Sequence, residues 1–238
     1  AGLLHPDVKT INGTGLDGYT AEPKLDGTAI RWQPGARDTL NDRILRPASD
    51  PFAPTSGLKQ LSGNLGRGVI KISAVAPERH IIQAPARVFG DQEQVKAAFK
   101  AGEFTQDTVV VVRFQGPRAN GMPELHSLTP TLSVLQDRGL RVALLTDGRM
   151  SGASGKVPAA IHIAPEAANG GPLAKIRDGD IIRMDAVAGT IDCLTEGWDT
   201  RAPAAFDPAP NSEGMGRELF AAFRAVAGSA DTGACSVV

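Results

Sequence analysis

Four short stretches of this sequence carry residue types that could serve acid–base or ligand-binding chemistry. Thr146 to Lys156 reads TDGRMSGASGK. Gly148, Gly152 and Gly155 let a backbone approach a ligand closely, and successive exposed N–H groups in such a loop make a nest for an anion. Ser151 would then point into a site that stabilises its alkoxide, although a serine acts as a base only with positive charge beside it. Gly116 to Leu125 reads GPRANGMPEL. Glu124 is a hard oxygen donor of the kind that ligates Mg²⁺, and Arg118 suits a carboxylate or phosphate. His162 to Pro172 reads HIAPEAANGGP; a lone histidine on a strand is more often packed than catalytic. Leu61 to Gly68, LSGNLGRG, is a loop that could meet a ligand before the next strand. Taken singly, each stretch also has a purely structural explanation as a glycine-rich turn or a helix N-terminus.

These stretches need elements to position them. Val69 to Val75 is β-branched and partly alternating, which reads as a strand, and Arg79 to Val88 suggests another. Asp91 followed by apolar residues at helical spacing and then Gly102 predicts a helix over 92–101. Thr108 to Phe114 reads as a buried strand, and the loop bearing Arg118 and Glu124 leaves its end. A helix is expected from Thr129-Pro130 to Gly139. Arg141 to Thr146 is a strand running straight into Asp147. Ala159 to Ala164 and Asp180 to Ala186 read as strands, and Ser212 to Val226 as a helix stopped at Gly228. Many short strands with helices between some of them imply a mixed α/β, strand-rich fold, a barrel or mixed sheet with helical cover. Residues 1–60 read as a loop-rich lead-in or linker that packs on an absent N-terminal domain, and 61–238 as the folded C-terminal β-barrel and helix domain.

Composition narrows the functional class. The chain has 238 residues with 25 basic and 26 acidic side chains, so its net charge of −1 gives no bulk drive toward nucleic acid or an anionic membrane. No apolar run reaches membrane-spanning length. Two cysteines, Cys193 and Cys235, make no disulfide framework and point to the cytoplasm. Neither has a CxxC partner, so the chain alone does not supply a cysteine-ligated cluster. The first residue is Ala1 rather than Met, and further sequence is expected upstream. No Walker loop, GxGxxG, HExxH or GxSxG is present.

Together the motifs resemble the dihydroxy-acid and 6-phosphogluconate dehydratase family. GP…GMPE at Gly116–Glu124, TDGR.SG at Thr146–Gly152 and PEA..GGP at Pro165–Pro172 occur in the family's order. The phosphogluconate branch is the most similar, through GLLH at Gly2–His5, GLKQLSGNLGRGVIKISAV at Gly57–Val75 and GMGRELFAAFR at Gly214–Arg224. The resemblance corresponds to the C-terminal part of a longer protein. It implies a β-barrel-like C-terminal domain with flanking helices. It also implies dehydration of 6-phospho-D-gluconate to 2-dehydro-3-deoxy-6-phosphogluconate in the Entner–Doudoroff pathway. Ser151 would be the base taking the C2 proton, and Glu124 would join a metal shell across a domain interface. Asp147, Arg149 and Ser154 would orient or bind substrate. The iron–sulfur cluster, and Mg²⁺ if present, would be held largely by an N-terminal domain absent here. The chain alone is therefore expected to be inactive, and the intact enzyme to be a homo-oligomer. For the substrate's phosphate, Arg67, Lys71, Arg118 and Lys156 are the candidates. Two other readings stand beside this one: a branched-chain dihydroxy-acid or sugar-acid dehydratase of the same family, and a non-catalytic barrel that binds a partner or ligand.

Overall fold

A computed structural model describes residues 2, 4–151 and 156–237. The chain forms two compact units, Ala1–Thr55 and Ser56–Val238. The first unit contains two small antiparallel ladders, β1 (Lys9–Thr10) with β2 (Gly13–Thr14) and β3 (Ala21–Asp26) with β4 (Ala29–Pro34). Asp26 pairs with Ala29, leaving a two-residue turn at Gly27-Thr28, and Gly27 has φ of 62°, which glycine adopts without strain. This hairpin carries Leu25, Ile30 and Trp32, all exposed.

The second unit is a closed eight-stranded barrel. Its strands are β5 (Leu58–Gly63), β6 (Gly66–Lys71), β7 (Ile81–Phe89), β8 (Thr108–Val112), β9 (Val142–Thr146), β10 (Ala159–Ala164), β11 (Ile181–Asp185) and β12 (Thr190–Cys193). Around the barrel the order is β10-β6-β5-β12-β11-β7-β8-β9. The pairings β7–β8, β8–β9 and β9–β10 are parallel, so these neighbouring strands send their C-terminal ends to the same rim. Four α-helices accompany the barrel among the described residues: α1 (Gln92–Lys100), α2 (Pro117–Asn120), α3 (Leu128–Asp137) and α4 (Ala221–Val226). The strand-rich mixed α/β expectation is met.

The pattern of β8 and β9 explains why helices cover this side. Every residue of both strands is buried. Side chains alternate across a strand, so Val109, Val111, Ala143 and Leu145 fill the barrel interior. Val110, Val112, Val142 and Leu144 point the other way and pack with Val95, Leu128, Leu132 and Leu135 of α1 and α3. Strands buried on both faces read as continuous apolar runs, as Thr108–Val112 does. The expected α1 forms with its expected cap: the Asp91 side chain accepts a hydrogen bond from Gln94 N at 2.9 Å.

Differences from expectation have local causes. The helix expected over Ser212–Val226 is reduced to a 3-10 turn at Arg217–Phe220 followed by α4. Gly214, Met215 and Gly216 all have positive φ (84°, 55° and 79°), which stops a right-handed helix from starting earlier. The strand expected to run to Val75 ends at Lys71, and Val75 N folds back to Ile72 O. Strands β5 and β12 are not legible in the sequence pattern; Thr190–Cys193 is a short segment that pairs with β5, distant in sequence.

Leu144 is fully buried between barrel and helices. Leu144→Ala is expected to cost about 2–5 kcal/mol through lost burial and the cavity left behind. Val187→Ala, at an exposed position, should change stability by less than about 0.5 kcal/mol. Denaturant midpoints of the two variants against the parent check this.

Candidate active site

The loops that leave β8, β9 and β10 carry the three motifs, and they meet at one rim because those strands are parallel. A single carboxylate holds them together. Asp147, the first residue after β9, is fully buried. Its Oδ1 accepts from Gln115 N at 2.9 Å, and its Oδ2 accepts from Phe114 N at 3.1 Å and Ala167 N at 2.9 Å. Two of these donors follow β8 and the third follows β10. Burial pushes the Asp147 pKa up to about 6, against the three N–H donors, with the nearby Glu166 adding to the rise. Asp147 therefore positions the loops, and its oxygens are turned away from solvent.

Glu166 does the same for the neighbouring loop. Its carboxylate accepts from Arg118 N at 3.0 Å and 3.2 Å and from Ala119 N at 3.4 Å, capping the first turn of α2. Burial raises its pKa above the usual glutamate value, opposed by these N–H donors. The motif glycines follow from this packing. A Cβ on Gly116 would lie 1.8 Å from Glu166 Oε2, and one on Gly148 would lie 2.6 Å from Gln115 Cβ. Phe114, Met122 and His162 adopt positive φ (65°, 53° and 58°) around the same loops. Non-glycine residues held in such sparsely populated conformations cost about 1–3 kcal/mol each and cluster at functional sites.

This framework brings Glu124, Arg149 and Ser151 together. Glu124 forms an isolated parallel bridge with Arg149, and Leu125 N donates to Arg149 O at 3.1 Å. Glu124 Oε1 accepts from Ser151 N at 2.6 Å and from His126 N at 3.0 Å. Glu124 Oε2 lies 3.5 Å from Arg149 Nη1, and Arg149 Nε donates to Met122 O at 2.7 Å. Ser151 and Arg149 are exposed, so the group faces solvent at the rim. His162 sits behind it, its backbone N–H donating to Gly148 O at 2.8 Å; burial and then Arg149 hold its imidazole below the usual pKa. His162 is half-buried there.

Arg118 contributes its backbone N–H to Glu166 and its Nε to Ala227 O at 2.8 Å. Arg67 is paired with Asp231 and sits opposite Ala164, at the end of β10. Lys156 is exposed, and Ser154 lies outside the described residues. Sequence pattern singles out neither Glu166 nor the buried pair Gln115 and Asn120, where Asn120 Nδ2 donates to Gln115 Oε1 at 3.0 Å. Glu166 is visible there only as the acid of the PEA motif.

Among the described residues there is no group of three His, Cys, Asp or Glu side chains that could hold a metal ion. Cys193 is buried in the barrel interior and Cys235 is exposed in the C-terminal segment. The described residues do not by themselves fit an iron–sulfur cluster. Among the carboxylates of the three motifs, Glu124 is the one turned toward solvent, where it could lend an oxygen to a metal held from elsewhere. No helix among the described residues is long and apolar enough to cross a membrane.

Comparison with known proteins agrees with the converging motifs. The family model described as dihydroxy-acid/6-phosphogluconate dehydratase C-terminal matches residues 43–234. The chain belongs to this family. A phosphogluconate dehydratase of Pseudomonas aeruginosa is 57% identical over 99% of this chain and 39% of its own length. One from Escherichia coli K12 is 51% identical over 100% of this chain and 40% of its own. A dihydroxy-acid dehydratase of Sulfurisphaera tokodaii is 40% identical over 81% of this chain and 32% of its own. The chain thus spans about two fifths of the length of these phosphogluconate dehydratases.

The raised pKa of Asp147 gives this family member a pH signature. Between about pH 4 and about 6, the folded protein holds a proton on Asp147 that the unfolded chain has already released. The carboxylate's contribution to stability therefore falls as pH rises from about 4 through about 6, by roughly 3 kcal/mol in total. Asp147→Asn should flatten that part of the stability–pH curve and, by turning an amide NH₂ toward backbone donors, lower stability throughout. Urea unfolding at a series of pH values reads both effects.

Proposed function

We propose that this chain is the C-terminal portion of a hydro-lyase that converts 6-phospho-D-gluconate to 2-dehydro-3-deoxy-6-phosphogluconate. The observation that carries the reading is its identity of 57% and 51%, across essentially its whole length, to relatives named phosphogluconate dehydratase. The pairing of Ser151 with Glu124 supports it chemically. In the proposed reaction, Ser151 Oγ takes the C2 proton and the C3–O bond breaks with loss of water. The resulting enol tautomerises to the 2-keto acid. The weakly acidic C2 proton demands a base with a stabilised alkoxide. Arg149, two residues away, has its guanidinium paired with Glu124; in the proposal that charge turns to the alkoxide once Glu124 is engaged by a metal. Glu124 fixes the Ser151 backbone through its N–H. Substrate contacts by Arg149 and Ser154 belong to the same proposal.

A Lewis-acid metal would help a hydroxyl leave as a poor leaving group. In the proposal the iron–sulfur cluster, and Mg²⁺ if used, are held by the portion of the longer protein that this chain does not span. Glu124 would contribute one oxygen from this side. The exposed Leu25, Ile30 and Trp32 on the hairpin of residues 21–34 support a lead-in that packs on that further portion, or on a second copy in a homo-oligomer. The free thiols of Cys193 and Cys235 support a cytoplasmic setting.

The full-length, metal-loaded enzyme containing this chain is expected to form 2-keto acid from 6-phosphogluconate, while the 238-residue chain alone turns over nothing. Ser151→Ala should lower kcat by about 10²–10⁴-fold with the fold intact. Unchanged kcat removes Ser151 as the base. Turnover of a branched-chain dihydroxy acid in place of 6-phosphogluconate moves the chain to the sister branch.

A further inference from the structure

A cavity of about 480 Å³ opens beside the Glu124 loop, bounded by Asn120, Gly121 and Met122 on one side and by Met215, Arg217 and Arg224 of the C-terminal segment on the other. Among the described residues its wall includes no carboxylate side chain. Arg217 donates from Nη2 to Asn120 O at 3.2 Å and to Asn120 Oδ1, and from Nε to Asn211 O. Arg224 Nη1 donates to Arg217 O at 3.0 Å. Arg118 stands behind them, its Nε bonded to Ala227 O, and Ala227 also lines the cavity. Among the described residues none of these three guanidinium groups forms an ion pair, whereas Arg67, Arg87, Arg149, Arg183 and Arg201 each do. Burial and then the charge of Arg224 hold Arg217 below the usual guanidinium pKa.

Arg118 interacts with the Glu166 carboxylate, but the like charges of Arg217 and Arg224, brought together with no ion-pair partner among the described residues, are unfavourable unless an anion joins them. Carbonyl oxygens occupy only some of the donors, since each guanidinium carries five N–H groups. The Arg224 side chain makes one hydrogen bond among the described residues. The planar forks of arginine match phosphate oxygens in two-point contacts. We propose that Arg217 and Arg224, backed by Arg118, form a subsite for a phosphomonoester dianion. The subsite takes the phosphate end of a phosphorylated sugar acid whose acid end reaches Ser151.

The placement fits such a substrate. The cavity is next to the catalytic group rather than on it, and the two share one loop: Met122 lines the cavity, and its carbonyl accepts Arg149 Nε at 2.7 Å. A six-carbon acid phosphorylated at its far end needs its two charged ends bound apart. The Asn120 side chain links Arg217 to Gln115, whose N–H is held by Asp147, so the anion subsite is tied to the same knot that holds the three loops. Neither Arg217 nor Arg224 is among the phosphate candidates suggested by sequence. They come from the GMGRELFAAFR segment, seven positions apart.

The proposal rests on the phosphogluconate reading for the identity of its ligand, and the test keeps the two apart. In the full-length holoenzyme, binding of inorganic phosphate is measured by calorimetry and the preference for 6-phosphogluconate over gluconate by kcat/KM. Arg224→Gln should weaken phosphate binding and reduce that preference by at least about tenfold, the loss of one charged two-point contact, with Arg224→Lys intermediate. Met215→Glu places a carboxylate at the cavity edge from a fully exposed position. It should have the same effect, and it decides the matter if Arg224→Gln does not fold. Phosphate affinity unchanged in the folded variants, or no phosphate binding by the parent, overturns the subsite even if 6-phosphogluconate is dehydrated. Phosphate binding that is lost in the variants, in an enzyme that does not dehydrate 6-phosphogluconate, leaves the subsite standing and removes the substrate assignment.

Discussion

The rim of this barrel depends on one buried carboxylate. Asp147 gathers backbone N–H groups from the loop after β8 and the loop after β10, while itself beginning the loop after β9. A buried charge is expensive unless hydrogen-bonded, and three N–H donors are what make its burial tolerable. Parallel strands alone bring three chain ends to one side. They do not determine how the departing loops pack, because each loop leaves its strand with its own unsatisfied peptide groups. Asp147 satisfies three of these at once and thereby sets the distance between the loops.

Other features of the rim follow from that constraint. With the loops drawn together, Glu166 reaches across to cap α2, and the space it occupies permits no side chain at residue 116. Gln115 is held through its backbone by Asp147 and through its side chain by Asn120. The loop then runs outward through Met122 in a left-handed conformation, which delivers Glu124 alongside Arg149. Much of the TDG and PEA motif chemistry is thus framework. Its buried acids and glycines hold the loops, and the solvent-facing members, Glu124, Arg149 and Ser151, are what the framework presents.

Legibility in the sequence differs sharply between elements. The apolar runs at residues 108–112 and 142–146 read directly as buried strands because both faces of each strand are covered, and Asp91 reads directly as a cap because capping is a contact over three residues. The segment 212–226 reads as a helix because apolar spacing is blind to the left-handed residues 214–216 that forestall it. Strand β12 has only four residues, too few to show a period. Asp147, grouped by its motif with the substrate residues, is fully buried in the structure.

The sequence by itself determined which residue types were available and which strands would be buried on both sides, since those are properties of neighbours along the chain. It also carried the ordered motifs that mark the family. Only the tertiary structure decided which acids face inward and which outward, that Glu124 holds the backbone of Ser151 27 residues away, and that Arg217 meets Asn120 across 97 residues. The physical reason is range. Propensity, capping and periodicity act within a few residues, whereas the burial of Asp147 and the meeting of Arg217 with Asn120 come from tertiary packing, which joins segments that local pattern cannot relate.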